Sequence, residues 1–194
     1  MRSAPRNLGK LRIVGGSLRG SRIEVANGDG LRPTSDRVRE TLFNWLAPMI
    51  EGARCLDLFA GTGALGIEAI SRGAAECVFV ERDRALAQRL QQTLARLNIE
   101  NARVINADAL GWLGAVGQAF NLVFLDPPFS DDLWADAAAR LEAGGCLAEN
   151  AWIHVEAPAG MTPVVPSAWH LHRESRAGAV NFALYRRSHS IPLS

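Results

Sequence analysis

The sequence of 194 residues has only three cysteines, a single lysine and no long hydrophobic run. The cysteines, Cys55, Cys77 and Cys146, lie far apart and form no Cys-x-x-Cys pair, which argues against a zinc knuckle and a disulfide framework. No apolar stretch approaches the roughly 18 residues of a membrane span. The basic residues near the N-terminus precede no apolar core of a secretory signal. We therefore expect a cytoplasmic protein with reduced thiols.

The charge is balanced overall but uneven along the chain. The net charge is +1, yet residues 1–39 contain nine basic and three acidic residues, and residues 40–194 contain twelve basic and seventeen acidic ones. Eight of the nine basic residues in 1–39 are arginines, whose planar guanidinium donors suit phosphate oxygens and base edges. The N-terminal segment is therefore either a surface for nucleic acid or a solvated, flexible terminus, and charge alone leaves both open.

The hydrophobic pattern predicts one α/β domain. Residues 11–14 and 22–25 predict a short hairpin, and a helix is expected to begin at Asp36 after the N-cap candidates Thr34 and Ser35. Further on, strands alternate with helices, which predicts a mostly parallel sheet covered on both faces. Strands are expected at 54–59, 77–81, 103–106, 121–125 and 152–156, helices at 64–71, 84–97, 109–116 and 131–142, and a closing antiparallel pair at 170–174 and 180–186.

A glycine-rich loop follows the first strand of this alternating region. Gly61, Gly63 and Gly66 satisfy the pattern G-x-G-x-x-G, and Glu81 ends the next strand twenty residues after Gly61. Glycines at these positions allow a tight turn and a close approach of ligand to backbone, and the acidic residue suits two ribose hydroxyls. Taken alone, this pattern fits a dinucleotide site.

Asp57 favours a different ligand. A carboxylate four residues before Gly61 repels a pyrophosphate and attracts an ammonium group, so S-adenosylmethionine (AdoMet) fits better than NAD. The alternative is that Asp57 only braces the loop by accepting hydrogen bonds from backbone amides. Asp108 closes the third strand, where it can accept from an adenine amine, act as a helix N-cap, or do both.

The tetrad Asp126-Pro127-Pro128-Phe129 directly follows the buried fourth strand. Two consecutive prolines cannot continue a strand, so the turn holds Asp126 and the Pro127 carbonyl rigidly. The Asp126 carboxylate and the Pro127 carbonyl can accept hydrogen bonds from the two N–H groups of an exocyclic amine and so keep its lone pair on nitrogen. Phe129 can stack on a flipped base. The alternative is an ordinary proline-terminated strand with Phe129 in the core.

The ordered motifs resemble AdoMet-dependent methyltransferases acting on exocyclic amines. The segments Arg12-Ile-Val-Gly-Gly16, Arg19-Gly20 and 31–43 (LRPTSDRVRETLF) are similar to those of bacterial small-subunit ribosomal RNA guanine 2-amino methyltransferases, a resemblance that covers residues 11–186. It implies a Rossmann-like seven-stranded, mostly parallel sheet with an antiparallel final strand. The expected division is a basic arm and β-hairpin at 1–33, the methyltransferase domain at 34–187 and a tail at 188–194.

The resemblance also implies a function and its residues. We expect a monomer that methylates one guanine of small-subunit ribosomal RNA in an assembling subunit, with no metal and no membrane partner. The expected cofactor residues are Asp57, Gly61, Thr62, Gly63, Glu81, Asp108 and Ala109, and the expected catalytic residues are Asp126, Pro127, Pro128 and Phe129. The candidate RNA-binding residues are Arg12, Arg19, Arg22, Arg32, Arg37 and Arg39.

Three other hypotheses stay open at this point. The tetrad does not separate guanine from adenine, so an adenine 6-amino DNA methyltransferase is the nearest alternative. A non-catalytic RNA-binding assembly factor would keep the same fold, and an NAD-linked dehydrogenase is disfavoured by Asp57. Arg37 and Arg39 lie two apart on the expected helix and point in different directions, so we do not expect both to perform the same task.

Overall fold

The computed structural model describes residues 9–25, 35–115 and 117–188. Strands and helices follow one another in nearly the predicted order. The elements are β1 (Gly9–Arg12), β2 (Arg22–Val25), α1 (Asp36–Leu46), β3 (Arg54–Asp57), α2 (Ala64–Ser71), β4 (Glu76–Glu81), α3 (Arg84–Arg96), β5 (Ala102–Asn106), α4 (Ala109–Leu113), β6 (Phe120–Leu125), α5 (Trp134–Ala143), β7 (Leu147–Pro158), β8 (Trp169–Ala177) and β9 (Val180–Arg187).

Seven strands form one sheet in the order β5-β4-β3-β6-β7-β9-β8. The first five strands in this order, from β5 to β7, are parallel to one another, and β9 is antiparallel to both β7 and β8. The predicted mostly parallel sheet with an antiparallel final strand is therefore confirmed. One face packs against α1, α2, α3 and the β1–β2 hairpin, and the other packs against α4 and α5.

Several predicted boundaries move by a few residues. Helix α5 begins at Trp134 because Asp132 has a φ of 47°, a left-handed conformation that cannot continue a helix. Strand β7 begins at Leu147, five residues before its predicted start, because Leu147 already pairs with Phe120. The Ser35 hydroxyl caps α1 by accepting from the Val38 amide at 3.3 Å, as predicted.

The β1–β2 hairpin packs on the domain. Leu11, Ile13, Ile23 and Val25 are buried in the same core as α1 and α2. Because burial of such side chains stabilises a fold by about 1.5–3 kcal/mol each, residues 9–25 contribute to the core of the molecule. The solvated, flexible alternative is wrong for this described part of the N-terminal segment.

The three cysteines are buried and unpaired, as the sequence indicates. Burial raises the pKa of the Cys55 thiol to about 12, with a smaller contribution from the charge of Asp57. Such thiols remain protonated at neutral pH and are inert. In the described part of the chain, no helix has the length and apolar character needed to cross a membrane.

Candidate active site

A cleft of about 960 Å³ opens at the carboxyl ends of the parallel strands. It lies where the chain leaves the central pair β3 and β6 in opposite directions, the usual ligand position in an open α/β sheet. The walls are the loop after β3, the end of β4, the start of α4, the tetrad, Glu156 of β7, the β8–β9 turn and the first turn of α1. The sheet topology therefore brings the predicted motifs to one place.

The loop after β3 is held in a tight turn by glycine. Gly63 has a φ of 77° at the N-terminus of α2, and a Cβ atom there would lie 2.3 Å from Leu90 Cδ1. Gly61 donates its amide to Glu81 Oε2 at 2.8 Å, and Gly66 donates to Asp57 Oδ2 at 3.1 Å. The turn thus depends on glycine for its shape and on two carboxylates for its position.

Three acidic residues of the cleft, Asp57, Glu81 and Asp108, are held by backbone amides. The bracing role considered for Asp57 is confirmed by its bond from Gly66. Glu81 Oε1 also accepts from the Asp83 amide at 2.8 Å. Asp108 caps α4 by accepting from the Gly111 amide at 2.9 Å, while Ala109 lies buried beside it. Their roles toward a cofactor stay predictions.

The tetrad stands on the cleft side of β6. Asp126 is partly exposed as a whole residue although its carboxyl group is enclosed, Pro127 is buried, and Pro128 is exposed. Phe129 is half-buried, with its ring centroid 5.9 Å from that of Trp134. Asp126 and Phe129 both line the cleft, so the tetrad places an acceptor and an aromatic face beside the same space.

The cleft carries an excess of negative charge. Burial raises the pKa of Asp57 to about 7, against the hydrogen bond from Gly66 and aided by the charge of Glu81. Burial and the charges of Glu156 and Asp57 raise the pKa of Asp126 well above its usual range. Arg82 is the only basic residue among the described residues that line the cleft, and its Nη1 pairs with Asp131 Oδ2 at 2.9 Å. This set of carboxylates fits a cationic ligand such as AdoMet and disfavours a pyrophosphate.

The raised pKa of Asp57 predicts a pH-dependent stability for the ligand-free protein. The folded state binds this proton more tightly than the unfolded state, so stability falls as pH rises from about 4 to about 7. Asp57→Asn keeps an oxygen for the Gly66 amide and removes the buried charge. We therefore compare the free energy of unfolding of Asp57→Asn with that of wild type at each pH. From pH 5 to pH 8 this difference should change by roughly 2–3 kcal/mol in favour of the variant.

Urea unfolding at each pH measures this difference. Asp136→Asn, at an exposed position of α5, is the matched control and should track wild type at every pH. A constant difference between Asp57→Asn and wild type across the range would contradict the raised pKa.

The predicted RNA-binding arginines divide into three groups. The side chains of Arg12, Arg19, Arg22 and Arg37 are exposed. Arg32 lies outside the described residues. The prediction for Arg39 is wrong, because its side chain is fully buried and cannot reach a phosphate.

A buried network that the sequence reasoning missed explains the position of Arg39. Its guanidinium pairs with Glu68 Oε2 at 3.4 Å and with Asp36 Oδ1 at 2.5 Å, and it donates to the Arg12 carbonyl at 2.7 Å. Glu68 also accepts from the amides of Val14 and Gly15 at 2.9 and 2.8 Å. The available signal was that Glu68 is the one charged residue in the mostly apolar helix sequence ALGIEAIS. The network fastens the hairpin loop to α2, the helix that begins at the glycine loop.

Comparisons with known proteins give one family. Its model, described as "Conserved hypothetical protein 95", matches residues 11–186. The chain is 51% identical over 180 residues to "Ribosomal RNA small subunit methyltransferase D" of Escherichia coli K12, covering 92% of this chain and 91% of the relative. It is 42% identical over 186 residues to the protein of the same name from Haemophilus influenzae, covering 94% and 96%.

A solved structure agrees with this family. The Escherichia coli protein described as "Putative methyltransferase yhhF" superposes with a TM-score of 0.86 at 48% identity. The match covers 94% of this chain and 100% of that one, so the two chains share the fold over nearly their whole length.

Proposed function

This chain belongs to the family described as conserved hypothetical protein 95, and from its named relatives and the tetrad at the cleft we propose that it methylates the exocyclic 2-amino group of a guanine in small-subunit ribosomal RNA. It is an AdoMet-dependent methyltransferase, and the name of its relatives, ribosomal RNA small subunit methyltransferase D, supports methyl transfer to ribosomal RNA. The substrate and the target atom are the proposed part. We further propose that it acts as a monomer, in the cytoplasm, on an assembling small subunit.

The cofactor end of the cleft is formed by the residues around the glycine loop. We assign the amino-acid end of AdoMet to Asp57 and the loop Gly61-Thr62-Gly63, the ribose to Glu81, and the adenine to Asp108 and Ala109. The excess of carboxylates and the tight glycine turn support this assignment. When bound, AdoMet supplies a methyl group that its sulfonium charge has already activated.

The observation that carries the proposed reaction is the position of Asp126 and Pro127 at the cleft. An ionised Asp126 and the Pro127 carbonyl can each accept a hydrogen bond from one N–H of the amine, which turns the nitrogen lone pair toward the cofactor end. Phe129 offers a face for the base. The raised pKa of Asp126 also makes its carboxylate a suitable acceptor for the proton that nitrogen loses after methylation. Catalysis is mostly positioning, since the transferred group arrives activated.

A product analysis tests this function. Small subunits from a strain that lacks the protein are incubated with the purified chain and tritiated AdoMet, and the ribosomal RNA is digested to nucleosides. We expect the label in N2-methylguanosine. Label in a methylated adenosine, or no incorporation into either free RNA or subunits, would contradict the proposal.

The exposed arginines of the hairpin are proposed to bind RNA phosphates. Their charge and their position on a packed element support this role. Replacing Arg12, Arg19 and Arg22 by alanine should lower RNA affinity and reduce the salt slope by about 0.7 for each phosphate contact removed. AdoMet affinity should be unchanged, because none of these residues lines the cleft.

Filter binding at several salt concentrations measures both effects. Arg140→Ala, on α5 at the opposite face of the sheet, is the control and should bind like wild type. Point variants are preferable to truncation, because removal of the hairpin would also remove buried core residues. An unchanged salt slope in the triple variant would leave the hairpin without this role.

A further inference from the structure

Two carboxylates of the cleft have no role in the proposed reaction: Asp83, which caps α3 by accepting from the Leu86 amide, and Glu156. Along the edge of the sheet, Asp108 follows β5, Glu81 ends β4, Asp57 ends β3, Asp126 follows β6 and Glu156 lies on β7. The first three are assigned to the cofactor, and Asp126 to the reacting amine. Glu156 therefore lies beyond the amine, on the side of the cleft that is left for the rest of the target base.

Glu156 is a neighbour of Asp126. Leu125 of β6 pairs in parallel with Val155 of β7, so the next residues, Asp126 and Glu156, are level on adjacent strands. Val155 faces the core beneath α5, and successive residues of a strand face opposite sides of the sheet, so Glu156 faces the other side and lines the cleft. The charge of Glu156 is also one of the causes of the raised pKa of Asp126, which agrees with this proximity.

The surroundings of Glu156 hold it in place. Trp134 Nε1 donates to the Glu156 carbonyl at 2.7 Å, which fixes the strand at this residue. His154 is fully buried behind it, and its Nε2 lies 3.9 Å from Glu156 Oε2. Neither ring nitrogen of His154 has a hydrogen-bond partner in the part of the chain that the structure describes. Glu156 is itself only 4% exposed, so it is a fixed acceptor at the cleft wall and not a mobile surface charge.

The edge of guanine next to its 2-amino group distinguishes it from adenine. In guanine, N1 carries a hydrogen and donates, whereas N1 of adenine is an acceptor. On the basis of the proposed function, we propose that Glu156 is the specificity-determining residue that accepts a hydrogen bond from N1–H of the target guanine, while Asp126 and the Pro127 carbonyl hold its 2-amino group. Adenine would place an acceptor against the buried carboxylate and lose the contact.

This proposal can be tested with a base that keeps the 2-amino group but has a hydrogen-bond acceptor in place of the donor at N1. 2-Aminopurine has the same amine as guanine and an acceptor at N1. Once the modified position has been mapped, small-subunit RNA is ligated with guanine or 2-aminopurine at that position and assembled with small-subunit proteins. Methylation of both substrates is then compared for wild type, Glu156→Gln and the control Glu149→Gln, an exposed residue of the same strand. The side-chain amide introduced by Glu156→Gln can donate a hydrogen bond to an acceptor at N1. The carboxylate of Glu156 can only accept.

We expect wild type and Glu149→Gln to prefer guanine over 2-aminopurine by about 10- to 100-fold in kcat/KM. Glu156→Gln should lower that preference by about tenfold or more. Because the ratio compares two substrates on one preparation, partial misfolding of a variant cancels. An unchanged preference in Glu156→Gln would overturn the role of Glu156. A wild-type product on any atom other than the guanine 2-amino group would overturn the proposed function, and the role of Glu156 with it.

Discussion

Asp126→Ala is expected to lower methyl transfer by about 10²-fold or more while leaving AdoMet affinity near that of wild type. The magnitude follows from the loss of one preorganised polar group at the reacting atom. The fold should survive, because a carboxyl group whose pKa is raised by burial does not stabilise the folded state in its charged form. Single-turnover transfer from tritiated AdoMet measures the rate, and calorimetry measures the affinity.

The same residue predicts the pH dependence of the reaction. The ionised form of Asp126 is the acceptor, and burial with the charges of Glu156 and Asp57 raises its pKa. We therefore expect kcat/KM to fall as pH decreases, beginning well above the usual range of a carboxyl group near 4. Asp136→Ala, on the exposed side of α5, should behave like wild type at each pH. Near-full activity in Asp126→Ala would refute the amine-orienting mechanism.

Glu68→Ala is expected to lower the free energy of unfolding by about 3–5 kcal/mol, the cost of removing one partner from a buried ion pair. The fully buried Arg39 would keep Asp36 but lose Glu68, and Arg72 would lose its ion pair with Glu68. The amides of Val14 and Gly15 would also lose their acceptors, so several losses combine in this variant. Urea unfolding measures the loss. The exposed Glu100→Ala should change stability by less than about 0.5 kcal/mol.

Hydrogen exchange locates the same effect in the molecule. In Glu68→Ala, the amides of Val14 and Gly15 should exchange much faster, because their hydrogen bonds end on the removed carboxylate. A loss of stability below about 1 kcal/mol, or unchanged protection of these amides, would show that Glu68 does not fasten the hairpin to α2.

The site could be predicted largely because each cofactor and catalytic motif follows a strand. The carboxyl ends of parallel strands meet at one edge of a sheet, so recognising the strands was enough to bring Asp57, Glu81, Asp108 and Asp126 together. Glycine spacing supplied the turn between β3 and α2. These are local signals, and one strand or one turn carries each of them.

The missed features depend on contacts between residues distant in sequence. Arg39 and Glu68 are 29 residues apart, and nothing near Arg39 distinguishes a buried guanidinium from the exposed Arg37. Glu156 ends a stretch that has the pattern of an ordinary buried strand, and only its register beside Asp126 indicates a role. The left-handed Asp132, which delays α5, also has no marker in the sequence.

The most direct test of the central claim is mass mapping of small-subunit ribosomal RNA from a strain that lacks this protein. We predict the loss of one methyl group from one guanine, located at its 2-amino nitrogen. Expression of the wild-type chain should restore it, and Asp126→Ala should not. A methylation pattern identical to that of the parent strain would contradict the account.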